Sequence, residues 1–154
     1  MMQQLYRLCD QTVTVYHAIY HPDGSFECEQ RLLEGVYFDV TDNRDTMTSG
    51  SRLERGFLLV IPNASPRPLW MQPISFDRLP AEQREGFYTL CPGDKILPGA
   101  GPQVQTRAQW AALVPQAYDG LAGIRCVDAK QFRNAVCHVE CEGMRSYAPR
   151  TNSN

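Results

Sequence analysis

No stretch of the 154-residue chain is apolar over the length a membrane span needs, so a helical membrane protein is not expected. Charge of one sign is also missing. Fifteen basic residues face seventeen acidic ones, a net charge of −2, which leaves no broad basic face for gripping nucleic acid. DNA passing nearby is still compatible with that balance. No glycine-rich phosphate loop opens a helix, so nucleotide binding has no motif to rest on. The first ten residues lack a basic segment followed by an apolar run, so no secretory signal is expected and the reducing cytoplasm is the expected site of synthesis. In that compartment the six cysteines, Cys9, Cys28, Cys91, Cys126, Cys137 and Cys141, are expected as free, buried thiols and not as a disulfide framework.

Turn formers, by contrast, are plentiful. Eleven prolines and eleven glycines favour many short connections, and hence β structure over a helical bundle. The chain is organised around Phe87–Gly99, where Tyr88–Cys91 and Lys95–Leu97 flank Pro92-Gly93. Proline pre-sets the first central position of a type II turn and glycine supplies the positive φ of the second. Asp94 is then free to fold its carboxylate back onto backbone N–H groups or to face water.

Thr12–Tyr20 is rich in β-branched and aromatic residues and predicts the first strand, with His21-Pro22-Asp23-Gly24 as a turn and Ser25–Arg31 as the returning strand. Leu32–Val40 alternates in polarity and predicts a further strand. Thr41–Arg55 is polar and reads as a long exposed loop. Gly56–Ile61 is continuously apolar, as in a strand buried on both faces. Pro62–Pro80 holds five prolines and reads as a second long connection, with Leu69, Trp70 and Met71 against the core. Thr106 and Gln109 form a capping box for the single convincing helix, striped by Trp110, Leu113 and Val114 and stopped at Pro115. Ile124–Val127 and Val136–Glu142 predict the last strands, the latter with Cys137, Val139 and Cys141 inward and His138, Glu140 and Glu142 outward. The expectation is one mainly β domain over residues 1–143, a small β-barrel or sandwich with one short helix and long loops, followed by a flexible polar tail over 144–154.

Few residues suggest chemistry. Cys137-His138-Val139-Glu140-Cys141, with Cys126 or Cys91, is the sharpest metal candidate, but a C-x3-C spacing on a strand holds the thiols apart. Buried core thiols are the reading adopted, with no metal and no cofactor. A cysteine nucleophile would need His17, His21 or His138 beside it, and none sits in a recognisable catalytic signature. Glu27/Glu29 and Glu140/Glu142 read as solvated strand faces, not as acid–base pairs. Tyr6, Tyr16, Tyr20, Tyr37 and Tyr88 are not interleaved with basic residues and fit packing and interfaces better than base stacking. No catalytic residue is assigned, and the chain is not read as an enzyme.

The order of motifs resembles the head–tail connector proteins of long-tailed bacteriophages and prophages, the head-closure, stopper or head–tail joining proteins. The likeness runs through Thr12-Val13-Thr14-Val15-Tyr16, Leu33-Glu34-Gly35-Val36, and Ser49-Gly50 before Phe57–Ile61. It continues in Leu90-Cys91-Pro92-Gly93-Asp94-Lys95-Ile96 and Ile124-Arg125-Cys126-Val127-Asp128. The chain departs from shorter members by its Pro62–Gly86 connection and polar tail. The resemblance implies a virion structural protein on a small β-barrel, assembled in the host bacterial cytoplasm as a six- or twelvefold homo-oligomeric ring. It implies a portal or adaptor protein on the head side, a tail terminator on the other, DNA running through the lumen without sequence-specific binding, and no membrane. A tail completion or minor tail protein is the alternative, and a small nucleic-acid-binding barrel a more distant one.

Overall fold

In the computed structural model, which describes residues 8–47 and 50–146, six strands close into an antiparallel barrel in the order β1-β2-β3-β8-β7-β6. The strands are β1 (Gln11–Tyr20), β2 (Phe26–Met47), β3 (Gly50–Pro62), β6 (Lys95–Pro98), β7 (Ala122–Phe132) and β8 (Ala135–Ser146). The barrel therefore replaces the looser barrel-or-sandwich expectation. Closure removes the edges that an open sheet of this length would expose. Between β3 and β6 the chain leaves the wall to make β4 (Leu69–Trp70), helix α1 (Pro73–Arg78), a 3-10 turn at Ala81–Gln83 and β5 (Phe87–Tyr88). Helix α2 (Arg107–Ala112) lies between β6 and β7.

β1 and β2 join through the expected turn, where Gly24 has φ +88° and donates to the carbonyl of His21. The two strands anticipated at Ser25–Arg31 and Leu32–Val40 are one. β2 runs through both and passes from pairing with β1 to pairing with β3. The hand-over lies at Gly35, which has φ +71° and is skipped in the register between Thr12↔Glu34 and Gln11↔Val36. A bulge there bends the strand without ending it.

Within the segment Thr41–Arg55, residues 41–47 and 50–55 are strand and not loop, and residues 48–49 lie outside the described residues. Its backbone continues the β2–β3 ladder from Thr41↔Gly56 to Met47↔Gly50. The ladder there extends from the core-anchored pair Phe38↔Leu59, and backbone pairing carries no composition requirement, so polar residues read as a loop. Gly56–Ile61 is a strand, but Phe57, Leu59 and Ile61 are buried while Leu58 and Val60 are only half-buried. It is a barrel wall with one inner face, not a strand sealed on both sides.

The barrel interior is filled by residues including Val13, Val15, Leu33, Leu59, Ile96 and Val139. The opposite face of β1 carries Tyr16, which packs with Leu97, Val104, Trp110, Leu113 and Leu121 in a second cluster under α2. The α2 capping box forms as its sequence requires, with Thr106 Oγ1 accepting from Gln109 N–H. Its far end is held by Lys95, whose Nζ donates to the Trp110 and Leu113 carbonyls at 2.8 Å each. Burial pushes the Lys95 amine below its usual pKa range.

α1 occupies the stretch expected to be a plain connection. It starts with Pro73 at the first helical position and has no side-chain cap, so the usual start signal is absent. Trp70 is half-buried against the core, as anticipated. β7 is longer than expected, and β8 continues through Met144–Ser146, where the polar tail was expected to begin. The rest of that tail lies outside the described residues.

Candidate functional site

Alternation along β1 sends Val13, Val15 and His17 to one face, so the imidazole points inward at the end of a strand whose earlier residues fill the core. The Cys91–Asp94 turn meets it. Asp94 N–H donates to the Cys91 carbonyl at 3.1 Å, and Gly93 has φ +97°, as the Pro-Gly pair demands. The turn is bolted to β7 by two backbone bonds, Gly93 N–H to the Ile124 carbonyl and Ile124 N–H to the Asp94 carbonyl. Asp94 folds back as its position allows, with Oδ2 accepting from Cys91 N–H at 2.8 Å and Oδ1 from Ala18 N–H at 3.2 Å.

Asp94 Oδ2 also lies 2.6 Å from His17 Nδ1, both side chains being 3% exposed. On the other side of the ring, Nε2 is 2.8 Å from Asp77 Oδ1, carried by α1. Cys91 Sγ completes the group, 3.8 Å from His17 Nδ1 and 3.5 Å from Asp94 Oδ2. Burial alone would favour the neutral imidazole. The hydrogen bonds to Asp94, Cys91 and Asp77, with the Asp94 charge, outweigh it and push His17 up to about 10. The ring is thus an imidazolium between two carboxylates, with the edge of Phe76 packed against it at a centroid distance of 5.7 Å.

The network continues beneath the α1 excursion. Arg84, 3% exposed, lies with Nη1 3.2 Å from Glu29 and 3.4 Å from Glu27, while Nη2 donates to the Asp77 carbonyl. Arg31 donates to the carbonyls of Arg84 and Phe87 and pairs with Glu29 at 2.9 Å. His21 sits 2.7 Å from Glu27, and that bond holds the Glu27 carboxyl below its usual range. A connected layer of charges therefore ties α1 and the 3-10 turn to β1 and β2.

A model described as a family of unknown function (DUF6751) matches residues 8–144. The chain belongs to that family. No curated protein and no solved structure matches it. The matched span contains His17, Asp77, Cys91 and Asp94.

The residues singled out from the sequence are dispersed. Cys141 is fully buried in the core and its thiol is pushed up to about 12 by burial. Cys137 is half-buried, with Sγ 3.3 Å from the Lys130 carbonyl; Cys9, Cys28 and Cys91 are half-buried too and Cys126 is exposed, so the expectation of buried thiols holds only at Cys141. No disulfide joins any of the six cysteines. His138, expected to face outward, is largely buried and lies 3.0 Å from Glu140. Glu27 and Glu29 are bridged by Arg84 and are not merely a solvated face. Tyr16 is buried in the outer cluster and Tyr88 in the inner one, which separates them across the wall. Tyr20 is exposed, Tyr37 half-buried, and Tyr6 lies outside the described residues. Among the described residues, the one His/Cys/Asp/Glu group whose ligand atoms converge is His17, Cys91 and Asp94, all within 4.8 Å of one another. The sequence offered Cys91 only as an optional partner of the Cys137–Cys141 stretch, whereas it lies beside His17 and Asp94. The signals for this group in the sequence were a histidine at the end of β1 and a Cys-Pro-Gly-Asp turn.

Proposed function

We propose that this barrel is a virion structural subunit, part of the head–tail connector ring that closes the DNA-filled head of a long-tailed phage and docks its tail. The observation that carries the reading is the far end of the β2–β3 ladder, which among the described residues runs on past the pairings with β1 and β8 as an arm. Among the described residues, which end at Ser146, β8 pairs with β3 up to Glu54↔Ser146, whereas β2 and β3 go on pairing with each other to Met47↔Gly50. A two-stranded ribbon alone is marginal in water, so an arm of this kind is best stabilised by a neighbouring subunit or by the lumen of a ring. The near-neutral net charge supports the same reading, since a surface that neutralised many phosphates would hold DNA in a salt-dependent grip instead of letting it pass. The closed barrel supplies a rigid body on which such an arm is carried. In this reading the subunit is structural and not catalytic. It assembles in the host cytoplasm with a portal or adaptor protein on one side and a tail terminator on the other.

The test is to replace residues 44–53 with an Asn-Gly turn, which suits a two-residue hairpin connection. The expected outcome is a shortened chain that folds with an unchanged far-UV spectrum but yields particles that lose DNA or fail to join tails. Full infectivity of particles carrying the shortened chain would overturn the assignment of the arm.

A further inference from the structure

We propose that His17, Cys91 and Asp94 form a zinc site, with Asp77 as the carboxylate that orients the histidine. The proposal is independent of the connector reading and rests on the geometry of the Cys91–Asp94 turn. Zinc sites are commonly built on a cysteine and a second ligand separated by two residues, because that spacing wraps the backbone around the ion. Cys91-Pro92-Gly93-Asp94 has that spacing, with a carboxylate in the second place, and its turn already sets Sγ and Oδ2 3.5 Å apart. The third ligand comes from another strand, with His17 Nδ1 3.8 Å from the sulfur.

Ligand bonds of about 2.0–2.3 Å in a tetrahedral arrangement require ligand atoms roughly 3.3–3.7 Å apart. Two of the three separations are close to this range. The third, 2.6 Å between Nδ1 and Oδ2, is a proton-bridged contact that has to open by about 0.7 Å when an ion replaces the proton. Asp94 Oδ1 keeps its bond from Ala18 N–H, which anchors the carboxylate while Oδ2 swings. The balance is simple. One Zn2+ replaces the Nδ1 proton of His17 and the thiol proton of Cys91, two protons leave to solvent, and the net charge of the site is unchanged. Nε2–H then donates to Asp77, the carboxylate–histidine–metal arrangement that fixes ring tautomer and orientation. A thiolate, an imidazole and a carboxylate together suit zinc and not magnesium or calcium. With three protein ligands, water would be the fourth, and Cys91 is only half-buried. The ion would clamp β1, the turn and, through Asp77, helix α1.

The experiment titrates Co2+ and then Zn2+ into the chelator-treated full-length chain at fixed pH. The expected result is one ion per chain, with a sulfur-to-cobalt charge-transfer band and the visible bands of a four-coordinate site, both displaced by zinc. Cys91→Ser removes the charge-transfer band, while Cys126→Ser, at the exposed cysteine, leaves it intact. Alkylation of the wild-type chain supplies a readout that needs no variant to fold: zinc protects Cys91 and leaves Cys126 reactive. Absence of stoichiometric binding, a band that survives Cys91→Ser, or unchanged Cys91 alkylation would each overturn the site.

Discussion

Asp77, on α1, reaches across to Nε2 of His17, on β1, at 2.8 Å. This bond joins the covering excursion to the barrel wall, and its worth is set by the buried ring more than by the carboxylate, which is about one-third exposed. Asp77→Asn keeps an acceptor but removes the charge. It is expected to cost about 1–2 kcal/mol in denaturant unfolding, and to speed proteolytic cleavage between residues 64 and 86. Unaltered cleavage would mean that the cover is held elsewhere.

Arg84 is the second tie. Its guanidinium is buried against Phe76 at 5.6 Å and lies within reach of two glutamates of β2. Arg84→Met removes the cation and leaves Glu27 and Glu29 facing each other without it. Breaking a buried pair costs about 3–5 kcal/mol, and the partial exposure of both glutamates puts the expected loss near the lower figure. Equilibrium unfolding measures it directly. A loss below about 1 kcal/mol would class the contact with ordinary surface pairs.

His17 gives stability a pH dependence with a definite sign. Its folded value, about 10, lies above the ordinary 6.5 of an unfolded chain, so the folded state binds the proton more tightly. That contribution is complete below pH 6.5, declines as pH rises, and is gone once pH passes about 10. In chelator-treated protein, the melting temperature of the wild type is expected to converge on that of His17→Gln over this window. A gap independent of pH would show that the ring is held neutral.

Gly143 tests the packing of the wall. A Cβ there would collide with the Gly123 carbonyl and lie 2.6 Å from the Phe57 ring. Because one obstacle is backbone, relaxation is expensive. Gly143→Ala is expected to destabilise by about 3 kcal/mol, the upper end of overpacking costs. Gly123→Ala, which meets nothing within 4 Å, serves as the control and should be far milder.

Much of this architecture was legible wherever local chemistry decides it. The Pro-Gly turn before Asp94, the Pro-Asp-Gly turn after β1 and the Thr106–Gln109 capping box all form as their residues dictate. What escaped reading depends on pairing across the chain. The Thr41–Arg55 ladder has no apolar alternation to announce it, because its order comes from the partner strand. α1 begins without a side-chain cap. The charged layer joins His17 to residues sixty and seventy-seven positions away, a separation that no local pattern encodes. The turn alone lets Asp94 fold back onto Cys91 N–H, but its histidine partner comes from a strand that only barrel closure brings beside it.

The connector reading is tested most directly by quantitative mass spectrometry of purified particles made by the genome that encodes this chain. A closed ring predicts about six or twelve copies per particle, matched in number to a neighbouring ring of the neck. Hundreds of copies would place the chain in a tail tube or shell, and its absence from the particle would contradict a virion role altogether.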